Sequence, residues 1–476
     1  MKNHVLLLIL LVNVSFVANA DDGVDALQPS YTLPCIYIET ENHDSILSKT
    51  EYINAKMYID VYGENEYEGV GSVEDPIDIQ IRGRGNWTWR SFDKKPYKIK
   101  LRGGQKLLGM KSNKHWALLS HPDDPTGFYR NTLGFEVSRM IGMPYTPSQR
   151  PIELVLNGEY LGLYFLTETI KVGKNRLDIE GENELETDEL KVGQGGWLVE
   201  FDNYEDDHQI KIDVSDTFLK KFFITYHTPE ELSESQNVFL ISQFHTIKEA
   251  IFTHDEDTFW NMVDIESLAK YTIIAEVLTH QEAFVGSCFL WKNVGDSKWQ
   301  FGPVWDFGSS IWEYYRGHTW EDNYFGNTIL TELIQMPQLI DKIRQIWPDF
   351  YLVAYPHIDN YIDIFANEIN AAIALDVQRW PNLFSSTYTK GDILERAEFT
   401  KKSMKTRIEW LNKQWGQPTN ICNTLSDSYG FKIYNSHGML IYNFSKTEDI
   451  KERIEKLPCG LYILNTPYEK KKIIKH

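Results

Sequence analysis

Cysteine is scarce in this chain, with four among 476 residues, at positions 35, 288, 422 and 459. Their spacing fits no zinc-ligand pattern. In an oxidising compartment Cys422 and Cys459 could pair within one small unit, and free buried thiols are the other reading. His-Glu-x-x-His and Gly-x-Ser-x-Gly are both absent, which removes the zinc-protease and serine-hydrolase readings. The thirteen histidines are scattered, and His115, His121 and His280 are read as core or surface residues. No internal repeat or heptad array is present, so solenoids and coiled coils are excluded. Positive charge is in deficit: 48 Lys and Arg face 68 Asp and Glu, a formal net charge of −20. So acidic a chain repels nucleic acid and anionic lipid, and no nucleic-acid partner is expected. Any phosphate site must be a local basic cluster set against that field. Beyond the first twenty residues no segment is apolar enough to cross a bilayer, so no transmembrane segment is expected in the mature chain.

The N-terminus supplies the one long apolar run. Lys2 and His4 precede a nearly unbroken apolar stretch from Val5 to Val17, followed by Ala18-Asn19-Ala20 and then Asp21. This is the three-part layout of a secretory signal with small residues at the cleavage positions. No Cys follows the small residues, which argues against lipid attachment there. Removing residues 1–20 takes away one Lys and moves the formal charge to −21. The expected product is exported through the periplasm to the cell surface or the medium. Its 42% hydrophobic residues, 14 Trp and 26 Tyr predict a large core rather than disorder.

Patterning along the chain predicts an α+β body. Cys35–Glu39, Ala55–Val61, 77–84 and 96–102 read as strands, with a Gly- and Glu-rich loop at 63–76. A helical pattern follows at 125–143. The apolar runs 152–156 and 160–167 flank Asn157-Gly158, the signature of a type I′ hairpin. Residues 180–192 read as an acidic surface loop. Helical spacing covers 238–252, 264–279, 328–376 and 391–415, interrupted by a second hairpin made of 289–291 and 299–305. The body is thus strand-rich over 33–165 and helix-rich over 230–415. Composition changes at Gly416-Gln417-Pro418, and residues 416–476 alternate short strands with turns, predicting a small C-terminal β-sandwich.

Three constellations could carry chemistry. Arg82-Gly83-Arg84-Gly85-Asn86 precedes a strand on which Lys98, Lys100 and Arg102 share one face and Tyr97, Ile99 and Leu101 the other. Glycines let backbone amides approach an anion and Arg forks bind phosphate, although a solvated basic sheet edge would look the same. Glu168 ends an apolar strand and could hold a phosphate-binding Lys by an ion pair; a charge at a helix N-terminus is the plainer reading. Glu276, His280-Gln281-Glu282 and Ser287 precede Trp305-Asp306-Phe307-Gly308, where a carboxylate at a strand end suits a Mg²⁺ ligand.

The order of the pieces is more specific than any one of them. "IRGRGNWTW…KKPYKIKL", "KHWALLSHPDD…YRN", "NGEYLGLYFLTE", "GGWLVEFDN" and "GPVWDFG" follow one another over residues 81–308. With "YIETENHDSILSKTEYINA" upstream, they resemble the CotH kinase family, atypical secreted kinases named for a spore-coat protein. The resemblance covers about residues 33–320, with the helical part to 415 as its continuation. It implies a diverged protein-kinase-like domain over 21–415 that uses ATP with Mg²⁺ or Mn²⁺ to phosphorylate Ser or Thr on secreted or surface proteins. Carried over position by position, Arg84, Lys95 and Lys100 lie by the nucleotide phosphates. Glu168 orients a basic residue there, Asp306 binds metal, and Glu282 stands at the proton-accepting position. The end of the chain, "FKIYNSHGMLIY" followed by "LPCGLYILN…KKIIKH", resembles the C-terminal sorting domains of the type IX secretion system. That implies its machinery as a partner.

Four positions depart from the family pattern. Glu282 replaces Asp, Gly308 replaces a second Asp after the aromatic residue, Ser287 stands where some relatives supply Asn, and Trp87 follows Asn86 in place of Ser. A displacement of ~1 Å in a reacting group can cost on the order of 10²-fold in rate. Two expectations follow: an active kinase, or a catalytically degenerate pseudokinase serving as a surface scaffold or adhesion protein.

Overall fold

The computed structural model describes residues 27–416, apart from 63–66, 125–126, 203, 205, 213–221, 312–316, 322–327 and 384–392, and beyond them principally four strands between 431 and 475. The proposed signal segment and Cys422 and Cys459 lie outside the described residues. Cys35 and Cys288 are buried free thiols. Among the described residues no helix is long and apolar enough to cross a membrane.

Seven strands close a barrel: β1 (Cys35–Thr40), β2 (Ile53–Asp60), β3 (Ile77–Gly83), β4 (Tyr97–Gln105), β5 (Asn113–Leu119), β6 (Gln149–Leu156) and β7 (Glu159–Glu168). Their order is β1-β2-β3-β4-β5-β7-β6, closed by parallel pairing of β1 with β6. Alternation explains the closure. Ile79, Ile81, Ile99, Leu101, Trp116, Leu118, Leu154, Tyr164 and Leu166 point inward to one core. On β5 and β7 the opposite residues Ala117, Leu119, Leu163 and Phe165 belong to a second core shared with the helices. These two strands are therefore buried on both faces. At the β6–β7 turn Asn157 has φ +51° and Gly158 φ +78°, the positive pair the Asn-Gly signal predicts.

Between β3 and β4 the chain makes a short helix, α1 (Trp87–Ser91), that periodicity does not announce. Between β5 and β6 lies α2 (Tyr129–Met140). A second sheet follows, ordered β12-β11-β8-β10-β9, from β8 (Trp197–Asp202), β9 (Gln209–Ile212), β10 (Phe222–Thr228), β11 (Cys288–Lys292) and β12 (Gln300–Phe301). The expected strand at 299–305 shrinks to two residues, because Gly302 takes φ +107° and Pro303 has no N–H to offer a partner.

The helical layer contains α3 (Glu234–Thr253), α4 (Glu256–Met262), α5 (Ile265–Val277), α6 (Thr328–Leu333), α7 (Pro337–Arg379) and α8 (Ile393–Trp415). A Ser233–Gln236 capping box starts α3, and the Asp264 carboxylate caps α5 by accepting from Ser267 N at 2.7 Å. Buried Leu339, Ile343, Trp347, Phe350, Ala354, Ile358, Ile362, Phe365 and Ile369 run down one side of α7. Buried Glu276 on α5 accepts from His318 Nδ1 at 2.6 Å, Thr319 N at 2.8 Å and Arg407 Nη2 at 3.0 Å, which ties α5 and α8 to the 317–320 segment. The C-terminal strands β13 (Phe431–Asn435), β14 (Leu440–Phe444), β15 (Gly460–Asn465) and β16 (Lys470–Lys475) form one antiparallel sheet, ordered β14-β13-β15-β16.

One buried ion pair joins barrel to helices. Lys94, just before β4, donates to both Asp376 oxygens on α7, at 2.7 and 2.9 Å, and both side chains are wholly buried. Asp376 also accepts from Leu163 N on β7 at 2.8 Å. Gly162, at φ +91°, admits the carboxylate, since a Cβ there would collide with it. Asp376→Ala should cost ~3–5 kcal/mol by stranding the lysine, read as a lower urea midpoint for unfolding. An unchanged midpoint would mean that the pair does not join the two layers.

Candidate functional site

The site is assembled by a loop from the second sheet meeting the N-terminal turn of α2 and the loop before it. Residues 302–311 leave β12 and return beneath α2. Phe307 N donates to Asn131 Oδ1 at 2.8 Å, and Arg130 Nη1 donates to Gly308 O. Gly134 of α2 has no side chain where the Phe307 ring lies, and a Cβ there would overlap the ring. Asp306, immediately before these anchors, has φ +53°, and its Oδ1 accepts from Gly308 N at 3.3 Å. Ile311, within the loop, and Thr279, next to its hydrogen-bond partner Leu278, also have positive φ. Ile311 N donates to Leu278 O at 2.6 Å. Left-handed conformations at non-glycine residues cost about 1–3 kcal/mol each and persist where surrounding structure over-determines them, as the Asn131 and Arg130 bonds do here.

The carboxylates of Asp306, Glu282, Asp123 and Asp124 and the guanidinia of Arg84 and Arg130 meet around this loop. Asp306 is exposed. Glu282, in the turn after α5, is half-buried; desolvation raises its pKa, the Asp306 charge adds to the rise, and Ser309 and Arg130 oppose it. Asp123 is pushed up to about 6, by burial first and then by Asp306. Asp124 accepts from Arg130 N at 3.0 Å. Facing them, the Arg84 guanidinium stacks over Trp305, 5.6 Å from the ring centre. Burial lowers its pKa, while Asp306 and, more weakly, Glu200 act to raise it. His121 is held near pKa 3 by burial and by the Arg84 and Lys94 charges. It is therefore neutral and accepts from the Asn131 amide at 3.1 Å from Nδ1. Tyr204 and Arg90 lie at the rim, within electrostatic range of each other, and Tyr204 also senses Glu282 and Asp306.

The structure thus brings together Arg84, Glu282 and Asp306 from the sequence-derived set. Lys95 instead donates to Trp89 O at 2.7 Å and lies over the Trp89 ring. Lys100, on the outer face of β4, lies over Tyr52. Glu168 is buried at the end of β7, with no helix following. It pairs with Arg176 at 2.9 Å and accepts from Ser148 N at 3.1 Å, so the basic residue it orients is Arg176. Ser287 sits in the turn before β11. Sequence reasoning quoted "HPDD…YRN" but gave Asp123, Arg130 and Asn131 no part. Adjacent acidic residues followed by Arg-Asn were the available signal.

Among the described residues, no three His, Cys, Asp or Glu side chains converge as a self-contained metal cage. Asp306 acts on Glu282 and on Asp123, and either pair offers hard oxygen donors of the type divalent cations take. Mg²⁺ typically takes only one or two protein carboxylates.

A family model described as CotH kinase protein matches residues 79–413. No curated protein matches the chain.

Two outcomes test this geometry. Gly134→Ala should push Phe307 away and destabilise the fold by ~1–3 kcal/mol, measured by urea denaturation; an unaltered midpoint would show that the helix does not seat the loop. Asp123 binds its proton more tightly folded than unfolded, so between about pH 4 and 6 its contribution destabilises the fold as pH rises, by up to about 3 kcal/mol. In metal-free buffer Asp123→Asn should flatten that part of the stability–pH curve. A variant curve parallel to wild type would contradict the burial of the charge.

Proposed function

Because the chain belongs to the CotH kinase family, its match spanning well over half the sequence, we propose that this site transfers the γ-phosphoryl group of ATP to a Ser or Thr hydroxyl of a secreted or surface protein. The observation that carries the reading is the half-buried Arg84 within electrostatic range of the exposed Asp306, whose charge also reaches Glu282. Phosphoryl transfer asks little covalent chemistry of the protein and relies on positioning and charge. Arg84 neutralises the phosphate oxygens. Glu282, its pKa raised toward the working range, takes the proton of the acceptor hydroxyl. The acceptor oxygen bonds to the γ-phosphorus as the bond to the ADP leaving oxygen breaks. Asp306, with Asp123 or Glu282, would hold Mg²⁺ or Mn²⁺, which supplies charge neutralisation at the phosphates when bound.

In this reading the barrel and the helical layer are the two lobes of a diverged kinase-like domain. Residues 1–20 direct export, and 416–476, whose described strands form a four-stranded sheet, act as a sandwich-type sorting domain for type IX secretion. The degenerate-scaffold alternative draws on Gly308, whose carbonyl is occupied by Arg130 where a second carboxylate is expected.

Incubation of the protein with labelled ATP, Mn²⁺ and a Ser/Thr-rich acceptor should give label on the acceptor or on the protein itself, lost in Asp306→Ala. Absence of label in wild type, together with no rise in melting temperature on adding nucleotide and metal, would leave the scaffold reading.

A further inference from the structure

Helix α3 is apolar on two sides, and its inner side is the covered one. Leu240, Phe244, Ile247 and Ile251 enter the core shared by the second sheet and the helices. Val238 and Ile241, three residues apart and so neighbours along the outward side, are 60% and 36% exposed. The acidic loop before β8 runs beside them. Ser233 Oγ donates to Glu186 O, and Gln236 Nε2 donates to Asn183 O at 2.8 Å. Gly193, at φ +80°, lies against the Phe239 ring, where a Cβ would collide. From this loop Leu190 stands 87% exposed and Leu185 51%.

Single apolar side chains at a surface are ordinary, whereas four in one strip mark an interaction surface. A loosely held loop would fold its leucines under, but this one is fastened. Buried Glu182 accepts from Gly193 N at 2.7 Å, Trp197 Nε1 at 2.8 Å and Gln236 Nε2 at 3.0 Å. Leu185 N donates to Glu231 O at 3.3 Å. The bonds of their neighbours thus hold Leu185 and Leu190 in water.

The rim of the strip selects its occupant. Glu184, Asp188, Glu189, Glu231 and Glu234 are exposed around it. Over residues 182–192 and 230–242 the one basic residue is Lys191, paired with Asp188 at 3.3 Å. Glu231 and Glu234 suit the N-terminus of α3, but Asp188 and Glu189 have no helix to serve. Such a rim repels acidic partners and anionic lipid, and it favours a segment apolar on one side and basic on the other. A helix and a turn-rich loop offer no strand edge for pairing, so a partner helix, its own backbone bonds satisfied, fits best.

We propose that the strip of Leu185, Leu190, Val238 and Ile241 docks a basic amphipathic helix of a protein partner. The apolar side of that helix covers the four side chains, and its cations meet the surrounding carboxylates. The proposal does not draw on the phosphotransfer reading.

Fluorescence anisotropy tests it, using the full chain and a labelled synthetic peptide of about 18 residues, roughly five helical turns, with Leu on one side and Lys on the other. Leu190→Asp and Val238→Asp, both at exposed positions and expected to leave the melting temperature unchanged, should each weaken binding by about 10- to 100-fold, the factor for losing one buried aliphatic side chain. The direction is diagnostic, because each substitution adds a negative charge. Non-specific attraction of a cationic peptide to an acidic protein would strengthen. Glu189→Lys should weaken binding by about 2- to 5-fold. Leu352→Asp, at a position 61% exposed on α7, should bind as wild type. A peptide with Glu in place of Lys should not bind. Failure of wild type to bind the Lys peptide, binding by Leu190→Asp at or above wild-type strength, or equal binding of the Glu peptide would overturn the proposal. So would self-association of the wild type that Leu190→Asp abolishes in sedimentation, which would assign the strip to a second copy of the chain.

Discussion

The grip of α2 on the 305–311 loop is the constraint on which the candidate site depends. Two adjacent residues do it: Asn131 takes the Phe307 N–H, and Arg130 reaches the Gly308 carbonyl. With the two residues that follow Asp306 fixed, its carboxylate is presented outward from a left-handed backbone. Gly134, one turn further along α2, allows Phe307 to lie directly against the helix. The same helix packs on α7, and α7 is tied to the barrel through Lys94 and Asp376. The position of Asp306 relative to Arg84 is thus inherited from the packing of the whole body rather than from local loop sequence.

Charge is distributed in opposition to the chain's overall composition. The molecule is strongly acidic, yet half-buried cations stand together at Arg82, Arg84 and Lys98, with Asp306 the strongest carboxylate acting on Arg84. Burial and the Asp306 charge raise Glu282 and Asp123, while desolvation and neighbouring cations lower Arg84 and Lys98. An arrangement of this kind gains most from a ligand carrying negative charge toward the cations and a positive ion toward the carboxylates. Lys94 and Lys95, adjacent in sequence, serve different ends, the first tying the barrel to α7 and the second closing α1 on itself through Trp89 O.

Much of this was legible in the chain because it rests on local signals. Asn157-Gly158 between apolar runs specifies a hairpin, the alternation at 97–102 specifies which residues of β4 enter the barrel, and the spacing along 328–376 specifies helix, which the structure divides into α6 and α7. Asp306 at the end of an aromatic run was recognisable for the same reason. What stayed hidden depends on distant partners. Nothing near Lys94 announces Asp376, 282 residues away, so its neighbour Lys95 looked equally suited to phosphate. Arg130 gains its meaning only from Gly308, and Asp123 only from its burial beside Asp306. The strands β9 and β10 are short and mixed in character, and α1 is a five-residue helix, too brief for periodicity to register.

The central claim is that Arg84 and Asp306 flank one polyphosphate. A crystal structure of the protein with a non-hydrolysable ATP analogue and Mn²⁺ tests it most directly. The account predicts density for the phosphates between the Arg84 guanidinium and the Asp306 carboxylate, with the analogue's terminal phosphate nearest Asp306. An analogue bound elsewhere, with Arg84 still stacked on Trp305 and Asp306 facing only solvent, would contradict it.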